Sequence, residues 1–108
     1  MSDYPATLKE IVSWVESKKT LLHELGITLA DIRTRDVHVP AVAADFDSAN
    51  TLGRISAWVS GEVDFEVLRR SNEEDLFQHH ESVSSFTSRA LDYAYDAFLK
   101  HMTDAPTR

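Results

Sequence analysis

Residues 53–67, Gly53-Arg54-Ile55-Ser56-Ala57-Trp58-Val59-Ser60-Gly61-Glu62-Val63-Asp64-Phe65-Glu66-Val67, decide the fold. On either side of Ser60-Gly61-Glu62 a run of β-branched and aromatic residues alternates with polar ones, the pattern of two half-buried antiparallel strands joined by a hairpin. Period-two alternation sends Val63, Phe65 and Val67 to one face and Asp64 and Glu66 to the other. For the first strand of the pair, two registers are compatible with the residues. A three-residue loop sets Val59 opposite Val63, buries Ile55, Ala57 and Val59, and stands Trp58 outward opposite Asp64. A two-residue turn at Gly61-Glu62 sets Ser60 opposite Val63 and turns Trp58 into the core beside Phe65. The more apolar row, Ile55, Ala57 and Val59, favours the first.

Upstream of the hairpin, Ala41-Val42-Ala43-Ala44-Asp45-Phe46-Asp47 puts Val42, Ala44 and Phe46 on the core face and Asp45 and Asp47 on the other, with a turn at Ser48-Ala49-Asn50-Thr51. An earlier strand lies within residues 28–36, where alternation slips around Leu29, Ala30 and Ile32, and Pro40 closes its connection. Downstream, Leu76 to His80 supply a short fifth strand. Thr7-Leu8-Lys9-Glu10 has the capping-box form. Leu8, Ile11, Val12, Val15, Leu22 and Leu25 then recur at helical spacing, which predicts one helix over residues 7–25, ended by Gly26. A second helix starts near Ser84 or Ser85 and carries Phe86, Ala90, Ala94, Ala97, Phe98 and Met102, with Tyr93 and Tyr95 at its flank. Lys100 and His101 complement the dipole of its last turn. The expected fold is α+β: a four- to five-stranded antiparallel meander with N-terminal and C-terminal helices packed on one face.

The chain has 108 residues, of which 43% are hydrophobic, so residues 1–108 are read as one domain with a polar tail at 103–108. No apolar run approaches the roughly 20 residues of a membrane span, and Met1-Ser2-Asp3-Tyr4-Pro5 lacks secretory character, so a cytoplasmic location is expected. The absence of cysteine excludes disulfides, thiolate metal sites and cysteine nucleophiles. Eleven Lys and Arg against 18 Asp and Glu give a net charge of −7. The acidity is concentrated in residues 45–81, where nine acids meet only Arg54, Arg69 and Arg70. Such a balance disfavours nucleic acid and anionic membrane as partners and favours a basic protein surface.

Catalytic patterns are weak. His79, His80 and Glu81 are consecutive in a strand and cannot converge on one ion. Asp45 and Asp47 share a face but lack a third ligand and a glycine-rich cation loop. Ser82, Ser84, Ser85 and Ser88 are explained by capping. Gly26, Gly53 and Gly61 are too scattered to cradle a phosphate. No catalytic, metal or cofactor residue is therefore assigned, and the chain is not read as an enzyme. The open sheet face is instead expected to gather Asp45, Asp47, Arg54, Ser56, Trp58, Asp64 and Glu66 as a partner-binding set, since an exposed Trp amid carboxylates makes a good hot spot.

The run from Leu52 to Leu68, with its G-R-I-x-x-W-x-S-G-E core, resembles the TriTu family of small bacterial immunity proteins. The upstream Ala44-Asp45-Phe46-Asp47, the later His79-His80-Glu81 and the two terminal helices are similar in placement. The resemblance implies a cytoplasmic antidote that neutralises the C-terminal toxin domain of a polymorphic Rhs-type effector of type VI secretion. In that family the toxin resembles an ADP-ribosyltransferase acting on elongation factor Tu, with NAD as the toxin's cosubstrate and no cofactor on the immunity protein. The expected mechanism is stoichiometric occlusion by a monomer in a 1:1 complex. Trp58 is its anchor, Asp45, Asp47, Asp64 and Glu66 face Lys or Arg of the toxin, and Arg54 fixes registry through a carboxylate. An acidic chaperone of a secreted effector remains as a second class, marked by dimerisation and an unfolded client. A small-ligand protein or minor enzyme is a third and requires a pocket of about 300 Å³ or more.

Overall fold

The computed structural model describes residues 4–103; the expected tail beyond Thr103 lies outside them. Helices α1 (Leu8–Glu16) and α2 (Lys19–Glu24) precede strands β1 (Thr28–Arg35), β2 (Ala41–Asp47), β3 (Thr51–Trp58), β4 (Glu62–Arg69) and β5 (Asp75–Ser82), and α3 (Arg89–Thr103) follows. The strands form an antiparallel meander in the order β1-β2-β3-β4-β5. The expected α+β class and sheet are thus found. None of the helices is long and apolar enough to cross a membrane among the described residues.

One core fills the space between the sheet and the helices. Val42, Ala44 and Phe46 of β2, Ile55 and Ala57 of β3, and Val63, Phe65 and Val67 of β4 are each at most 2% exposed and meet Ile11, Leu22, Leu91, Phe98 and Met102. Full burial of the Val, Ile, Leu, Phe and Met side chains among them stabilises by about 1.5–3 kcal/mol apiece. Phe98 packs edge-on to Phe46 at 5.3 Å and against Phe65 at 5.9 Å, tying α3 to the middle of the sheet. Gly53 makes this approach possible: a Cβ there would sit 2.6 Å from Met102 Sδ and 2.8 Å from Phe98 Cζ.

The capping box at the start of α1 is present, Thr7 and Glu10 exchanging two bonds of 3.1 Å. The single helix over residues 7–25 is not. It breaks at Ser17-Lys18, where the Ser17 hydroxyl donates to the Trp14 carbonyl at 2.6 Å and the Lys18 amide bonds Val15 three residues back, tightening the turn. Leu25 consequently leaves the apolar stripe and is 44% exposed, while Gly26 takes the expected positive φ of 78°. The last helix starts at Arg89 rather than near Ser84 or Ser85. Ser85 is engaged in a local turn with Thr87, and the Ser88 hydroxyl accepts the Ala90 amide as the cap.

Thr51, expected in a turn, is instead a fully buried residue of β3, its hydroxyl donating to the Met102 carbonyl at 2.9 Å. Of the two tyrosines placed at the helix flank, Tyr93 is 70% exposed but Tyr95 is buried at 5%, edge-on to Trp14. The Tyr95 hydroxyl is enclosed with no hydrogen-bond partner among the described residues, and that burial pushes the phenol's pKa up. Replacing it with Phe removes a desolvated polar group and keeps the ring, so Tyr95→Phe is expected to raise stability by about 1 kcal/mol in urea unfolding. A comparable loss of stability would show that the hydroxyl has a partner in solution.

Candidate functional site

Among the described residues no helix covers the second face of the sheet, and strand parity determines what that face shows. Register places Arg33, Ala43, Ser56, Asp64 and His80 in one row across the five strands, and Asp31, Asp45, Arg54, Glu66 and Gln78 in the next. A third row runs Arg35, Ala41, Trp58. All seven expected partner-binding residues therefore share this face: Asp45 and Asp47 on β2, Arg54, Ser56 and Trp58 on β3, Asp64 and Glu66 on β4.

Trp58 is half-buried on the open face and Val59 is 3% exposed on the core side, so the favoured facing holds. Both expected hairpin registers are nevertheless wrong. Ser56, not Trp58, pairs with Asp64, and Ala57 pairs with Val63. The loop is Val59-Ser60-Gly61, closed by the Gly61 amide on the Trp58 carbonyl at 2.9 Å. Gly61 has φ of 97°, and the left-handed residue belongs at the third loop position rather than the second. The shift is two residues, so it preserves every facing and moves Trp58 level with Glu62.

The carboxylates differ in availability. Asp45 accepts from Arg33 Nη1 at 2.7 Å and from Arg54 Nε at 2.7 Å, while Arg33 also reaches Asp31 at 2.6 Å. Partial burial pushes the Asp45 carboxyl up, but hydrogen bonds from Arg54 and Arg33 outweigh it and hold the pKa below the ordinary value. Arg54 is thus held by a carboxylate of its own chain. Asp47 pairs with Arg70 at 3.1 Å. Glu66 makes no hydrogen bond or ion pair among the described residues and only senses Arg54 at longer range. Exposed pairs of this kind add little to stability, so their main effect is to set the pattern of charge.

Two shallow depressions lie side by side on this face. One, of about 520 Å³, is lined by Ser56, Asp64, Gln78 and His80, the other, of about 400 Å³, by Asp45, Leu52 and Leu68, and Arg54 and Glu66 line both. Leu52, Leu68, Glu62 and His80 belong to this surface and were missed in the sequence reading, although period-two parity carried far enough along β3, β4 and β5 would have found them.

His80 lies between two carboxylates, Nδ1 2.5 Å from Asp64 and Nε2 2.6 Å from Glu62, and Ser82 donates to both oxygens of Glu62 at 2.9 Å. Only a doubly protonated imidazole donates to both. The Asp64 bond and then the Glu62 bond raise the His80 pKa above its ordinary 6.5, and bonds from Ser82 and then His80 lower that of Glu62. A raised pKa in the folded state adds stability below the unfolded value, lost as pH rises through the folded one. The stability difference between the native chain and His80→Asn is therefore expected to be largest below pH 6.5 and to shrink as pH rises. A difference independent of pH would refute this clasp. His79 and Glu81 point to the helix side, where they pair at 2.8 Å.

The family model described as "Immunity protein TriTu" matches residues 9–101, from α1 through α3 and across every strand. The chain belongs to the TriTu immunity family. No curated protein and no solved structure matches it. Family membership supports an immunity role and implies binding of a cognate toxin.

Proposed function

We propose that this TriTu protein neutralises its toxin by laying the open sheet face over the toxin's active-site cleft in a 1:1 complex. The observation that carries the reading is the face itself: half-buried Trp58 and the apolar Leu52 and Leu68, set among Glu62, Asp64 and the unpaired Glu66. An aromatic anchor slows release, and carboxylates accelerate encounter with a basic surface. The cognate toxin, on the family resemblance, is the ADP-ribosyltransferase domain of an Rhs-type effector modifying elongation factor Tu. NAD belongs to the toxin, and neutralisation takes place in the cytoplasm.

The test is binding of a purified toxin domain of that class, with NAD-dependent modification of elongation factor Tu as the activity readout. Trp58→Ala is expected to weaken the complex by about 2 kcal/mol, roughly 30-fold in Kd, and to restore modification at equimolar ratio. Unchanged affinity in a folded variant would move the interface off this face.

A further inference from the structure

The sheet has two edges, β1 and β5, and they differ in the charge they carry. On β1 the pairing with β2 shifts between Leu29 and Asp31, and the strand carries the exposed charges of Asp31, Arg33 and Arg35, devices that discourage a further strand. On β5 the pairing with β4 shifts once, between Val67 and Leu68, and then runs in register from Phe77 to Ser82; the strand has acids at Asp75 and Glu81 but no Pro, Gly, Lys or Arg. Among the described residues no strand covers its outer side. Beside that edge, on the helix side, lies a groove of about 320 Å³, with Phe77, His79 and Glu81 as its floor and Tyr93, Ala94 and Ala97 of α3 as its wall. Tyr93, 70% exposed, is the most exposed large hydrophobic side chain described. The groove lies where the inward side chains of a sixth strand would project.

We infer that β5 receives an extended segment of the toxin as a sixth strand, its inward side chains filling the groove against Phe77 and Tyr93 and its ends carrying Lys or Arg. The inference rests on the toxin-binding reading above and adds a mode of attachment to it. The free backbone groups of the edge call for a strand rather than a helix. Charge selects whose strand it is. β5 has Asp75 at its first position and Glu81 near its last. Antiparallel pairing of two copies would set acid against acid between chains that each carry −7, whereas a strand with basic ends meets a carboxylate at each. Gln78 and His80 line the open-face depression from the same strand, so a segment paired to β5 continues that surface without a gap.

Successive amides of an edge strand point alternately to the neighbouring strand and to solvent, so of Gln78→Pro and His79→Pro one leaves the β4 ladder intact. That variant, identified by a near-native melting curve, is expected to bind the toxin domain about tenfold more weakly or worse. Tyr93→Asp, on the exposed side of α3, keeps the test open should both prolines unfold the chain, and the same loss is expected of it. Native affinity in the folded proline variant or in Tyr93→Asp, with Trp58→Ala still impaired, overturns strand addition and leaves the open-face reading standing. Native affinity in Trp58→Ala with loss in the edge variants overturns the open-face reading instead. A concentration-dependent dimer by sedimentation, abolished by the tolerated proline, would give the edge to a second copy and overturn the choice of partner.

Discussion

Phe98→Ala is expected to cost about 4 kcal/mol of folding stability, the upper range for an aromatic truncated in a packed core. Phe98 is 0% exposed and touches the ring systems of Phe46, Phe65 and Tyr95, at centroid distances of 5.3, 5.9 and 6.2 Å. Its partners come from β2, β4 and α3 itself, so the cavity left by Ala lies at the junction of helix and sheet. The ring also packs over Gly53 of β3, which has no side chain of its own to move into the space. A chain of this size holds only about 5–15 kcal/mol in total, and Tm should fall by roughly 15 °C or more. A drop of only a few degrees in a thermal melt would mean that α3 is not anchored through this ring.

Gly61→Ala is expected to destabilise by about 3 kcal/mol, for two independent reasons. Gly61 has φ of 97°, in the region where a side chain strains the backbone. A Cβ there would also sit 2.1 Å from the Val83 carbonyl oxygen, a backbone atom that cannot turn aside. The Gly61 carbonyl meanwhile accepts the Val83 amide at 2.8 Å, tying the hairpin to the segment that leaves β5. Relief of the clash has to move that segment or open the Val59-Ser60-Gly61 loop, and either displaces Trp58. Loss of toxin affinity should therefore accompany the loss in urea-unfolding free energy. A variant of native stability would show that the loop readily adopts another turn.

The strands were legible because alternation is local: Val42, Ala44 and Phe46 announce which side of β2 is buried, and Ile55, Ala57 and Val59 do the same for β3. The register of the hairpin was not, since a shift of two residues preserves every facing and changes only which residue is opposite which. Gly61 was the available clue, as a left-handed residue fits the third position of a three-residue loop. The break in the first helix escaped because Ser17-Lys18 interrupts the backbone without interrupting the apolar spacing from Val15 to Leu22. The seven partner-binding candidates were brought to one face by parity alone. Their pairing was invisible, because Arg33 comes from a strand whose alternation slips at the irregularity between Leu29 and Asp31. Without its register, neither the neutralisation of Asp45 nor the resulting isolation of Glu66 follows.

The toxin is expected to meet the open face of the sheet. Amide and indole chemical-shift mapping of the isotope-labelled protein, titrated with unlabelled toxin domain, tests it most directly. Saturation is expected at one equivalent, with the largest changes at Ser56, Trp58, Asp64, Glu66 and Gln78 and little at Leu21, Leu25 or Thr20. Changes concentrated on α1 and α2, with the Trp58 indole unmoved, would contradict it.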